Sequence, residues 1–230
     1  MMNTHMFPLV ACAALAANAA ASTVLYVQDF EAAGPGSGYS TTNQYITTPH
    51  YTHFLHTDGS ALPISNYTNT TGSFISGFNT NWFLGHPTLG TPTLTTDSFD
   101  ITGMTNLQFA IDLASNTTTP HWTTTSQVTF EYRVDGGAWI DIFAADSAGV
   151  HMGNPMVDGV AITNAFTTFT ANISGLTGTT MEIQVVWANL STLESLAIDN
   201  MAVSVIPLPP AGFAGLGMLA GLGIYRRIRR

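Results

Sequence analysis

Hydrophobic and polar residues alternate with a period of two through the second half of the chain. Leu107, Phe109, Ile111 and Leu113 face one way, and Gln108, Ala110 and Asp112 the other. Val128, Phe130, Tyr132 and Val134 alternate in the same manner with Thr129, Glu131 and Arg133, while Met181, Ile183, Val185 and Trp187 oppose Glu182 and Gln184. This period marks strands with one buried face. Asp135-Gly136-Gly137 is a hairpin-turn signal between the second of these strands and the next, which is expected to begin near Trp139. Threonine-rich composition favours strands as well, and no segment between Ser22 and Val205 keeps a helical period. The pattern predicts an all-β domain, a two-sheet jelly-roll sandwich spanning 22–205.

The regular strands are expected mainly after Thr93. From Gly34 to Pro92 the chain is rich in Gly, Pro, Thr and Asn with only short apolar runs, which reads as long loops on the sandwich. Ala144 to Asn164, with three glycines and a proline, reads as another excursion. There is no internal repeat and no sign of a second globular domain.

Both ends of the chain depart from this pattern. Phe7 to Ala17 is a short apolar run followed by small residues, and Ala17-Asn18-Ala19 and Ala19-Ala20-Ala21 are both acceptable cleavage motifs, so 1–21 reads as a signal peptide. Its leading segment lacks Lys and Arg. A competing reading takes Leu9-Val10-Ala11-Cys12 as a lipobox, with Cys12 the lipidated mature N-terminus.

At the other end, 206–230 joins a proline motif, an apolar glycine-rich run and an arginine cluster. The motif is Ile206-Pro207-Leu208-Pro209-Pro210-Ala211, and the cluster is Arg226, Arg227, Arg229 and Arg230. Four of the five basic residues of the whole chain lie in that cluster, so positive charge is confined to the far side of the apolar segment. This asymmetry holds a C-terminus in the cytoplasm. As a helix, Ala211 to Tyr225 would be only about 22 Å long against a hydrocarbon core of roughly 30 Å, a marginal transmembrane anchor.

The tail resembles the PEP-CTERM class of bacterial sorting signals, in its VPLPA-CTERM form, with Ile206 in place of valine and an additional proline before Ala211. The resemblance implies recognition and processing by an exosortase, a membrane protease-transpeptidase associated with exopolysaccharide production. It also implies transient anchoring in the inner membrane before release to the cell surface or extracellular space.

Charge narrows the remaining possibilities. The net charge is −9, all fourteen acidic residues lie between Asp29 and Asp199, and Arg133 is the only basic residue of that region. Nucleic acid and anionic membranes are disfavoured as partners. Cleavage near Ala19 or Ala21 would remove Cys12, the only cysteine, so the exported domain must be held together by its core and not by disulfides.

The exported region resembles the jelly roll of MAM, choice-of-anchor J and cleaved-adhesin domains. The matching pieces are Asp29-Phe30-Glu31, Ser98 to Gly103 leading into Leu107-Gln108-Phe109, Val128 to Trp139, and Ala197-Ile198-Asp199-Asn200-Met201. The resemblance implies a structural calcium ion where first and last strands meet, on Asp29, Glu31 and Asp199, with a loop contribution from Asp58. By strand phase Asp199 shares an apolar face with Met201, Val203 and Val205, where an unpaired carboxylate is costly. The alternative is that Asp199 caps a turn or bulge before the last strand, its carboxylate satisfied by backbone N–H groups.

Other side chains carry weaker chemistry. His50, His53 and His56 would converge on a transition metal only from a helical turn or bent loop, and solvated histidines on a polar loop fit better. Trp187 and Trp139 belong to the core by phase. Trp82 and Trp122 lie in polar surroundings where an exposed ring would stack on a sugar, the other reading being that they pack over the ends of the sandwich. Glu131 and Arg133 are expected to form a surface ion pair. None of the four glutamates forms the paired-carboxylate pattern of a glycosidase, and no nucleophile elbow or phosphate loop is present. The expected function is therefore non-catalytic: an exported surface or matrix protein in adhesion, biofilm or exopolysaccharide. The alternatives are a carbohydrate-binding module at the surface and a secreted polysaccharide-degrading enzyme.

Overall fold

The computed structural model describes 22–31, 38–42, 91–115, 122–190, 194 and 196–206, together with the backbone of 54–57 and 82–85. The signal segment, the proline motif from Pro207 onward, the arginine cluster, His50, His53 and Asp58 lie outside the described residues. Thr23–Ile206 is one compact unit.

Among the described residues the elements are all strands: β1 (Val24–Gln28), β2 (Tyr39–Thr41), β3 (Phe54–Thr57), β4 (Trp82–Gly85), β5 (Thr93–Thr96), β6 (Phe99–Asp100), β7 (Asn106–Ala114), β8 (Gln127–Val134), β9 (Ile140–Asp146), β10 (Met156–Val157), β11 (Val160–Ala161), β12 (Thr167–Ser174), β13 (Thr180–Ala188) and β14 (Leu196–Val205). They form two antiparallel sheets. One runs β12-β7-β14-β4-β3, with β1 also on β14; the other runs β11-β10-β9-β8-β13-β5-β2, with β6 also on β13.

The alternation in the sequence becomes the sandwich core. Leu107, Phe109, Ile111 and Leu113 from one sheet meet Val128, Phe130, Ile183, Val185 and Trp187 from the other, all fully buried. Phe109, Phe130 and Phe143 pack in tilted contact, with centroids 4.8–6.3 Å apart. Burial of each large side chain contributes about 1.5–3 kcal/mol, which offsets part of the chain's ordering entropy in the absence of any disulfide.

The hairpin signal operates as the residues require. Asp135 and Gly136 take φ of 50° and 68°, as a tight turn with left-handed central positions needs, and Gly137 N–H donates to the Val134 carbonyl at 2.9 Å. The Asp135 carboxylate accepts from the backbone N–H groups of Thr179 and Thr180 at 3.0 and 2.9 Å and from both hydroxyls, tying the turn to the start of β13. These donors hold its carboxyl below the usual aspartate value.

Two expectations about organisation are corrected. The stretch from Gly34 to Pro92 is not only loop: it supplies β2 to one sheet and β3 and β4 to the other, where β4 pairs with β14. The region after Ala144 begins as the end of β9 and contains a short hairpin, β10–β11, turning at Asp158-Gly159.

β1 and β14 run antiparallel, and Val205 N–H donates to the Thr23 carbonyl at 2.8 Å. The first and last residues of the sandwich therefore lie side by side at one pole.

Candidate functional site

Three regions carry the polar chemistry of the domain. The first lies where β14 changes neighbour: β4 pairs with Leu196 to Ile198, and β1 pairs with Met201 to Ser204. Between them Asn200 adopts φ 47°, and the register on β7 shifts between Asp199 and Ala202. This bulge changes the phase. Ile198 opposes Leu113 and Val203 opposes Phe109 on the core side, but Asp199 opposes Asp112 on the other. Asp199 thus does not share the apolar face of Met201 and Val203, because the additional residue of the bulge flips the alternation.

The end of β1 closes over this point. Phe30 is fully buried with φ 52°, its ring edge-on to Tyr39 at 5.4 Å and its N–H donating to Gln28 Oε1 at 2.9 Å. A bulky residue in the left-handed region is strained, and core packing of the ring offsets that strain. With Phe30 turned inward, Asp29 and Glu31 flank it on the exposed side. Glu31 N–H donates to Asp29 Oδ1 at 3.2 Å.

Asp199 is only 2% exposed, and its carboxylate accepts from Asn200 N–H at 2.8 Å. Burial, with the neighbouring carboxylates of Asp112, Glu31 and Asp29, pushes its carboxyl up to about 7 against this single opposing donor. Asp112 is better supplied: Thr168 Oγ1 donates to its Oδ1, and Asn200 Nδ2 to its Oδ2 at 2.9 Å. The oxygen chemistry and negative charge at this point suit calcium, but the spacing does not. Among the described residues no three His, Cys, Asp or Glu side chains converge closely enough to hold a metal ion.

The second region centres on Glu194, fully buried beneath the turn that precedes β8. Its Oε1 accepts from Thr123 N–H at 2.6 Å and from Ser126 Oγ at 2.7 Å. Above this network lies an open polar cleft of about 340 Å³ lined by Thr124, Thr125, Ser126, Gln127, Asp146, Gly149 and Asn189. Trp122, expected as an exposed sugar platform, is 1% exposed and forms an isolated bridge with Gly153. That expectation is corrected: the Trp122 side chain belongs to the buried core. Trp82 opens β4, where it pairs with Thr57, so its backbone belongs to a strand and not to a loop; its side chain lies outside the described residues. His56 likewise belongs to a strand, β3.

The third region is the outer face of the sheet containing β8 and β13. Arg133 pairs with Glu182, its cross-strand neighbour, with Nε and Nη2 donating at 2.6 and 3.0 Å. The expected Glu131–Arg133 pair is therefore corrected. Trp139 precedes β9, is half-buried and carries the Arg133 guanidinium 4.6 Å from its ring centroid, so it too departs from the core position its phase implied. Glu131 faces Asp141 instead of a cation. Burial and that facing carboxylate raise the Glu131 carboxyl above its ordinary value.

The sequence matches no family model and no curated protein. In shape the chain is similar to the K3 cleaved adhesin domain of Lys-gingipain from Porphyromonas gingivalis, at 11% identity and TM-score 0.45 over 80% of this chain and 99% of that one. It is also similar to the CBM22-1 xylan-binding domain of Paenibacillus barcinonensis Xyn10C, at 11% identity and TM-score 0.43 over 83% and 99%. A further likeness is to TmCBM61, solved with β-1,4-galactotriose, at 9% identity and TM-score 0.36 over 65% and 80%.

Proposed function

We propose that this protein is an exported, non-catalytic component of a bacterial cell surface or extracellular matrix, acting in adhesion or in a biofilm or exopolysaccharide layer. Its jelly-roll domain is released or displayed after an exosortase-like enzyme processes the tail at or near Ile206 to Ala211, with Arg226, Arg227, Arg229 and Arg230 keeping the C-terminus cytoplasmic until then. The observation that carries this reading is the tail itself: proline motif, apolar run and terminal arginines in order, following a single β-sandwich. The neighbouring ends of β1 and β14 support it, because a domain whose two ends leave from one pole presents the opposite pole outward when tethered.

Calcium enters the proposal as a structural ligand of Asp29, Glu31 and Asp199, supported by the negative charge gathered at the bulge. Uptake requires those carboxylates to draw closer together than in the arrangement described.

The test is removal of Ile206 to Arg230 in a host that possesses an exosortase. The truncated chain is expected to fold and to lose membrane retention, because Thr23–Ile206 is by itself a compact unit. Retention at the membrane without the tail would contradict the proposal.

A further inference from the structure

Strand register brings together, on the outer face of the larger sheet, residues that are far apart in sequence. Ser40 opposes Thr95, Thr95 opposes Gln184, Gln184 opposes Glu131, and Glu131 opposes Asp141. These five residues form one row across β2, β5, β13, β8 and β9. At the usual separation of about 4.8 Å between strands the row is roughly 19 Å long. Ser40 and Asp141 at its ends are exposed, and the three between them are partly exposed.

An internal contact orients the row: Gln184 Nε2 donates to Thr95 Oγ1 at 3.0 Å, which fixes the amide orientation. Glu131 and Asp141 stand opposite each other in the register. The next row along the strands holds Glu182, Arg133 and Trp139, with the guanidinium clamped between carboxylate and indole. That clamp leaves Arg133 without charge to spare for an anion. On the other side the row is bordered by Thr93, Val186, Thr129 and Ala144, all small or β-branched.

We infer that this face is a binding site for an extended neutral polysaccharide, laid across the strands, with Thr95, Gln184, Glu131 and Asp141 bonding its hydroxyls and Trp139 bounding one side as an aromatic contact. Hydroxyl, amide and carboxyl groups in series provide alternating donors and acceptors, which a chain of sugar hydroxyls matches. A half-exposed indole offers the apolar face that sugar C–H groups need. Anionic polymers are disfavoured, since among the described residues the one cation on the face, Arg133, is already paired and the domain is strongly acidic. This inference deepens the reading of the protein as part of a polysaccharide layer and rests on it for the class of ligand.

The experiment is affinity electrophoresis and array binding with the full-length chain in detergent, against neutral and anionic polysaccharides. Variants are Trp139→Ala, Gln184→Ala and, in the separate cleft, Gln127→Ala. Melting curves verify that each is folded, with Gln184→Leu as a second, shape-preserving variant if Gln184→Ala is not. Binding to at least one neutral polysaccharide is expected, weakened at least tenfold by Trp139→Ala and several-fold by either change at Gln184, and unchanged by Gln127→Ala. Failure to bind any neutral polysaccharide overturns the site, as does binding lost in Gln127→Ala but kept in the face variants. Either result leaves tail-dependent sorting untouched, whereas mis-sorting with intact binding overturns only the surface assignment.

Discussion

Asp199 and Asp112 stand directly opposite each other in the β14–β7 register, two carboxylates on one face with the bulge at Asn200 immediately beside them. Asn200 bonds both, through its N–H to Asp199 and its side-chain amide to Asp112, but only Asp112 gains a second donor, from Thr168. The less well-supplied, more deeply buried partner is the one whose carboxyl is raised to about 7.

This has a consequence for stability against pH. The folded-state value of Asp199 lies above its unfolded value near 3.8, so the folded protein holds a proton that the unfolded chain releases. The contribution to stability is full in acid and lost as pH rises through about 7, an effect of up to a few kcal/mol at about 1.4 kcal/mol per unit. Glu131 acts in the same direction, and Asp135, held low, acts in the opposite one in more acid solution. In chelator, wild-type melting temperature is expected to fall between pH 5 and 8. Asp199→Asn, neutral and of similar shape, is expected to flatten much of that fall and to melt higher than wild type at pH 8. Equal slopes in the two proteins would contradict the assignment.

Calcium distinguishes a metal site from a protonated one. If the ion binds Asp29, Glu31 and Asp199 in the folded state alone, stability at pH 8 should rise by about 2.7 kcal/mol at one hundred times the dissociation constant. Asp199→Asn should lose most of that gain, and magnesium should substitute poorly, since it demands near-octahedral geometry. Calorimetric melting that is indifferent to calcium and chelator would remove the metal from the account.

Trp122 should behave as a packing residue. Its indole N–H is buried without a hydrogen-bond partner, so Trp122→Phe forfeits no such bond and should cost less than about 2 kcal/mol. Trp122→Ala should cost about 3–5 kcal/mol through the cavity it leaves. Urea denaturation of the two variants measures the difference, and a neutral Trp122→Ala would contradict the burial.

Glu194 should matter to stability beyond its size. Glu194→Ala removes the closest acceptor of Thr123 N–H and Ser126 Oγ, leaving them the longer contacts to Ser126 Oγ at 3.2 Å and to the Asn189 carbonyl at 3.3 Å, and should cost about 1–3 kcal/mol, with Glu194→Gln milder because an amide oxygen still accepts. Similar melting for wild type and the alanine variant would argue against the network.

Strands with sustained alternation were legible in the sequence: β7 and β13 bury the stripe that their alternation announced, and β8 buries Val128 and Phe130 with Tyr132 and Val134 partly buried. Features that depend on an irregularity or on a partner strand were not. The bulge at Asn200 inserts one residue and moves Asp199 off the face of Met201, which no count of alternation reveals. Arg133 chose Glu182 over Glu131 because directly opposed residues on adjacent strands approach more closely than residues two apart on one strand. Trp139 lies outside β9, so its phase had no strand to act through. The polar row from Ser40 to Asp141 draws on five strands and exists only in the register. Asp112 was visible as an outward residue of β7, but its pairing with Asp199 required the fold.

The central claim is that the chain is exported and its tail is removed, and mass spectrometry of the protein recovered from an exosortase-containing host tests it most directly. The account predicts a surface or extracellular form that begins near Ser22 and lacks Arg226 to Arg230, with cleavage at or near the Ile206–Ala211 motif. A stable surface form that retains the arginine cluster would contradict it.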